Sequence, residues 1–359
     1  MQQPFLLSRV LLRFERGTED LIGELSAVTL TPDGNLWLGS DELNTIERLS
    51  QIEPYIFGNH QPFSVSDFIP LLNDEDEIDI EGMDYANSYL WLTGSHSPKR
   101  RQPKGKNPEK DIQRLAETTI DLNRYLIGRI PVSQGELHKS CAHPDDPGKR
   151  LTAACLKSTK DGNVLLDALK QDSHLGPFIS TALPSKENGF DVEGLAVCKH
   201  KIFLGLRGPV LRGWAVLLEI EVEDQEPGVL TLKPIGKEGR LYKKHFVHLN
   251  GLGIREICFC GKHLIILAGP TMELEGSMRV FRFKGILEQD GDSLTSQDSG
   301  QLEVLFDLPF TIGSDHAEGM AMFPCLGQPN SLLVVYDAPD QTRIIKPDTV
   351  YADVFMLKK

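Results

Sequence analysis

The chain has 359 residues, 40% of them hydrophobic and 25% charged, a composition that excludes disorder and fits a globular protein able to bury a large core. A formal net charge of −13 excludes a whole surface built to hold nucleic acid, because phosphate binding needs clustered positive charge. No apolar run reaches the roughly 18 residues of a membrane span, so no membrane contact is expected.

In chain order, FLLSRVLLRFE reads as a strand rather than a signal peptide, since a basic leader, an unbroken apolar stretch and a small-residue cleavage site are missing. Five related segments follow: GELSAVTLTPDGNLWLGSDE, DIEGMDYANSYLWLTGSHS, DVEGLAVCKHKIFLGLRGP, GIREICFCGKHLIILAGP and HAEGMAMFPCLGQPNSLLVVYDAP. Each carries a glutamate, a short apolar stretch, a polar turn, and an apolar strand ending in Gly, Ser, Asp or Pro. The glutamates are Glu24, Glu81, Glu193, Glu256 and Glu318, spaced 57, 112, 63 and 62 residues apart. Such an internal repeat of strands predicts an all-β β-propeller, one domain over 1–359, with five blades favoured and six as the alternative. Outer strands are expected at TIERLSQIE and FSVSDFIPLL, at GWAVLLEIEVE and VLTLKPIGK, and at MRVFRFKGI and LEVLFDLPF. The chain ends on YADVFMLKK, a third strand for the last unit, and the N-terminal strand completes that blade and closes the ring.

The long spacing is read as an insertion in the second blade, about 98–190. It opens with the basic loop PKRRQPKGKNPEKD and holds NVLLDALKQDSHL, where Leu165, Leu166, Leu169 and Leu175 suit a short helix. The loop, with Lys99 and Arg100, reads as an exposed positive arm on an acidic protein, drawing an anionic ligand to the channel mouth.

Period-2 geometry places Asp79 with Glu81, Asp191 with Glu193, and His316 with Glu318 on shared faces. If first strands line the channel, up to five glutamates, two aspartates and a histidine approach one axis, and they cannot all stay ionised without compensation. Either a divalent cation such as Ca²⁺ or Mg²⁺ sits there, or arginines such as Arg207 and Arg255 do; the glutamates can equally serve as backbone hydrogen-bonders between blades. The glycines at 82, 194 and 319 permit a tight turn or a close approach. Arg207 and Arg212, in GLRGPVLRGWAV, suit an anion at a blade mouth. Ser95 and His96 end a strand but, as neighbours, point apart. No nucleotide or organic cofactor motif occurs, and six cysteines without a C-x-x-C pair suit a reducing cytoplasm.

With DIEGM, GSHSPKRR, SKENGFDVEGLAV, GLRGPVLRGWAV, GLGIRE and HAEGMAM in hand, the chain resembles, over nearly its full length, a family of bacterial proteins catalogued as a domain of unknown function. That resemblance implies a propeller and no established activity. The glutamate-opened units also look like those of the phytase-like (esterase-like) and gluconolactonase-type propellers, in which axial acidic residues hold a divalent metal for hydrolysis. Two functions follow: a ligand- or protein-binding module using the channel mouth and the basic loop, or a divalent-metal-dependent hydrolase of a small anionic ester, phosphoester or lactone.

Overall fold

The computed structural model describes residues 4–15, 17, 21–73, 77–272 and 274–357. The last two residues of the expected C-terminal strand, 358 and 359, lie outside this range. The fold is all-β and propeller-like, and among the described residues no helix is long and apolar enough to cross a membrane.

After β1 (Leu6–Arg13), the chain runs through successive groups of antiparallel strands that gather into sheets of nine, seven, five and four strands, the first and last groups joined through β1. The first is β2 (Leu25–Leu30), β3 (Asn35–Ser40), β4 (Thr45–Glu53) and β5 (Ile56–Ser64). The second begins with β6 (Ile80–Ala86) and β7 (Tyr89–Gly94), then leaves the sheet through β8 (Lys99–Arg100), α1 (Pro108–Ala116) and β9 (Thr118–Thr119). It returns as β10 (Ile127–Ser133), passes β11 (Glu136–Leu137) and the hairpin β12 (Ser140–His143) to β13 (Asp146–Thr152), and finishes with β14 (Ala154–Leu156). The connection onward holds β15 (Ser158–Thr159), β16 (Gly162–Asn163), α2 (Val164–Leu169) and α3 (Gly176–Ser180). The third unit has β17 (Asp191–Cys198), β18 (Lys201–Gly208) and β19 (Trp214–Ile220), a hairpin of β20 (Val222–Glu226) and β21 (Val229–Leu232), and then β22 (Lys243–His248). The fourth comprises β23 (Gly253–Cys260), β24 (His263–Gly269), β25 (Arg279–Phe283) and β27 (Leu302–Asp307); the short β26 (Ser293–Thr295), between β25 and β27 in the chain, pairs parallel with β22 and extends the third sheet. The fifth is β28 (His316–Met322), β29 (Ser331–Asp337), the short β30 (Ile344–Lys346) and β31 (Thr349–Met356), and β31 pairs along its length with β1.

Three expectations need correction. The fourth strand of the first unit is Ile56–Ser64, and the Val65–Asp67 stretch of FSVSDFIPLL turns into a 3₁₀ helix. The VLTLKPIGK strand does not complete the third unit. As β21 it runs parallel to β14, so the β20–β21 hairpin extends the second sheet, and β22 takes the vacant place beside β19. The interval 98–190 is not one insertion, because β10 and β14 inside it are the second unit's own outer strands. Within it, α2 holds Leu165, Leu166 and Leu169 of the expected helix, while Leu175 lies beyond its end, just before α3; Asn163 caps α2, accepting from Leu165 N and Leu166 N at 3.0 and 3.1 Å.

The first strands pack in a cycle: β2 lies against β6, β6 against β17, β17 against β23, β23 against β28, and β28 against β2. Flanked on both sides, they are largely buried, and in β17 every residue but Cys198 is buried, Asp191 and Glu193 included. The buried hydrophobic residues correspondingly form five clusters, one at each seam between adjacent units. At these seams the repeated glycine is explained by close approach, not by a tight turn. A Cβ on Gly82 would stand 2.8 Å from Leu195 N, and on Gly194 3.0 Å from Ile257 N. None of Gly82, Gly194 or Gly319 has a positive φ.

Gly82→Ala should therefore overpack the β6–β17 seam and destabilise the fold by about 1–3 kcal/mol. Gly23→Ala, whose added methyl meets nothing within 4 Å, should be near neutral in the same denaturant titration.

Candidate functional site

Each first strand carries a β-bulge, and the bulged positions align the units better than the glutamates do. Ladder register breaks at Ser26 in β2, Glu81 in β6, Glu193 in β17, Arg255 in β23, and Glu318 with Gly319 in β28. A bulge re-aims the side chain it carries. Sequence alignment on glutamate is thus one residue out in the fourth unit, where Arg255 holds the bulge and Glu256 stands where other units have glycine. It is also displaced in the first unit: Glu24 precedes β2 and bridges to Asp337.

The bulged side chains meet at one end of the channel. Arg255 lies between Glu193, 3.0 Å from its Nε, and Glu318, bonded through Nη2. Arg207, at the end of β18, donates through Nη1 to Glu193 at 2.7 Å and through Nε to the Thr271 carbonyl at 3.0 Å. A third arginine, Arg124, comes from a 3₁₀ turn over Leu122–Tyr125; it pairs with Asp79 and donates to Ser95 Oγ at 3.0 Å. Asp79 holds a left-handed backbone at φ +60°, a conformation that a non-glycine residue adopts at a cost. Of the two countercharges open to the sequence reading, arginines occupy the axis.

Carboxylates still outnumber them. Asp191 is 1% exposed, its Oδ1 has no hydrogen-bond partner, and burial, followed by repulsion from Glu193, pushes its carboxyl up to about 8. Burial, then repulsion from Glu318, likewise raises Asp41 to about 8, with Oδ1 again bare. Glu81 is driven well above the usual range by burial, with Asp79 as its nearest repelling neighbour. Burial also outweighs the arginine partners of Asp79 and Glu318, which rise to about 6 and about 7. The expected pairs of Asp79 with Glu81 and Asp191 with Glu193 are thus electrostatic neighbours. His316 turns instead to Glu275 at 3.5 Å and Asp337 at 3.7 Å.

Other expected site residues stand apart. Glu256 is fully buried, and its Oε1 accepts from Leu195 N at 3.1 Å and Ile257 N at 2.8 Å, the backbone-bonding role. Asp84, which the sequence reading missed, does the same for Val197 N and Tyr85 N. His96 is a buried strut between the Gly94 carbonyl and Asn163, lowered to about 4 chiefly by burial. Arg212 is an exposed turn residue with φ +49°. The basic segment is anchored at its start, where Lys99 pairs with Glu77, Arg100 with Glu187 and Arg101 with Glu117; residues 101–107 are an exposed loop, and Lys110 lies in α1. That helix was legible in NPEKDIQRLA, with Asn107 as cap, Pro108 at the first position and acids in the first turn. Arg124 had no local motif, and Asp41 and Asp337 read only as residues ending a strand.

The Arg255→Met variant strands Glu318, while Glu193 keeps Arg207, and should cost about 3–5 kcal/mol. Glu318, already raised to about 7, would then hold its proton more tightly, so the deficit should shrink as pH falls from about 8 to about 5. Denaturant titrations at the two pH values measure it.

In overall course the chain is similar to several solved structures. It matches the calcium-binding protein regucalcin from Agrobacterium tumefaciens at 10% identity over 94% of this chain and 90% of that one, TM-score 0.37. Virginiamycin B lyase from Staphylococcus aureus matches at 11% identity over 98% and 99%, TM-score 0.36, and a streptogramin B lyase at 8% over 98% of each chain, TM-score 0.36. No curated protein sequence matches. The sequence profile of the family described as "Protein of unknown function (DUF3616)" matches residues 24–353, and the chain belongs to that family.

Proposed function

We propose that this chain is a five-bladed propeller, closed by the β1–β31 ladder, that binds a small organic cation at the axial carboxylate cluster. The cyclic packing of five first strands supports the blade count, and β10 and β14 pair into the second sheet instead of forming a sixth unit.

One observation carries the binding reading: Asp191, buried at the axis with a carboxylate oxygen that nothing bonds, in a cluster whose three arginines are already engaged. A cation seated there offsets the burial and the repulsion that lift Asp191, Asp41 and Glu81. An anion would meet surplus carboxylate, so the arginines are poor anchors for the anionic ligand that the sequence suggested. An apolar body on the cation would find Met272 and Leu274, exposed on the loop that brings Thr271 to Arg207 and Glu275 to His316, and Ile312, exposed on the segment leading into His316. Ca²⁺ or Mg²⁺ needs about six oxygens around one centre. Among the described residues no three His, Cys, Asp or Glu side chains group as a metal-ligand set, which favours an organic cation over a metal ion at the axis.

The sign of the pH effect follows from the raised carboxyls. Asp191 and Asp41 contribute stability below the unfolded value of 3.8 that is lost as pH rises through about 8. The free protein should therefore melt lower at about pH 8.5 than at about pH 6, and butylammonium or putrescine should restore more at the higher pH. Asp191→Asn should flatten the pH dependence and lose the response to both amines. Absence of any amine-induced shift in melting temperature, or an unchanged shift in Asp191→Asn, would overturn the proposal.

A further inference from the structure

We propose that the cleft between the second and third sheets is a second binding site, for a small anion carrying a flat ring. It rests on observations separate from the axial cluster.

The strand YLWLTG places Tyr89 and Trp91 two residues apart on one face of β7, and Arg129 of β10 stands directly across from Trp91 in the ladder. The Arg129 guanidinium lies 4.5 Å from the Tyr89 ring centre and 5.8 Å from that of Trp91, and Asp224 of β20 holds its outer end. The crossing β20–β21 hairpin thus forms one wall and the β12–β13 hairpin the other, around a cavity of about 660 Å³. That volume suits a small molecule. Asn87 Nδ2, bonded to the Lys199 carbonyl at 2.7 Å, ties the turns of the two units together beside it.

Two features specify the ligand. The first is a pair of unused donors: Trp91 is 4% exposed and its indole N–H has no acceptor, and neither has Arg129 Nε–H. Buried donors of this kind are normally satisfied, and an oxyanion supplies the missing acceptors. The second is charge: Lys149, Arg150 and Lys199 join Arg129 in lining the cleft, against Asp224 and Glu226, on a chain whose net charge is −13. A planar ring can lie on the guanidinium plane that already stacks over Tyr89. Carboxylate and phosphate offer the same acceptors, and the test separates them.

Calorimetric titration with phenyl phosphate and benzoate as ring anions, and inorganic phosphate and benzyl alcohol as half-ligands, is decisive. At least one ring anion should bind about tenfold more tightly than either half-ligand, its identity naming the oxyanion. The surface double variant Lys149→Ala/Arg150→Ala should weaken it about fivefold at low salt. Trp91→Phe, which keeps a ring and removes the donor, should weaken it about tenfold with the melting temperature little changed. Asp191→Asn should leave it unaltered, which keeps this test distinct from that of the axial site. The inference is overturned if neither ring anion binds more tightly than inorganic phosphate, or if the double variant and Trp91→Phe both bind like the parent.

Discussion

Close approach of the five first strands is the constraint from which the axial chemistry follows. Where β6 meets β17 and β17 meets β23 there is no room for a Cβ at Gly82 or Gly194, and the preceding residue bulges out of the ladder. Whatever that residue carries is delivered to the axis. Carboxylates from the second, third and fifth units would repel there, and Arg255 from the fourth, wedged between Glu193 and Glu318, turns the repulsion into two ion pairs across seams. In a poorly solvated space such pairs hold only while both partners remain. The carboxyls with no arginine respond by keeping their protons, and this surplus makes the axis receptive to positive charge.

The seams are also tied away from the axis. Asp84 and Glu256 each accept from an amide of β17, whose inner edge has no ladder partner. The β20–β21 hairpin leaves its own unit to extend the neighbouring sheet, so the second and third units share strands as well as a hydrophobic cluster. A cleft whose walls are strands keeps its shape without a ligand. That rigidity holds Trp91 and Arg129 in position with donors unmet.

Legibility in the sequence depended on whether a signal was local. Apolar runs bounded by turns located the first strands, and orphan strands at the two ends pointed to the β1–β31 ladder. Local capping signals for α1 were present and were masked by the basic charge around them. VLTLKPIGK misled because a strand's composition reports that it pairs and is silent about its partner. Glutamate spacing misled at the fourth unit for a different reason: a bulge shifts by one the residue that faces the axis, and GIRE carries no sign of which residue will bulge.

By itself the sequence determined the all-β class, the five glutamates and the prospect of crowded carboxylates, because strand periodicity and turn chemistry act over a few residues. Only the tertiary structure decided which carboxylates crowd and what answers them. Arg124 arrives from a turn outside the repeat, Asp41 from a strand end, and Glu256 withdraws into backbone bonding. Countercharge and burial belong to groups far apart in the chain, and they become physical quantities only once the units have closed around the axis.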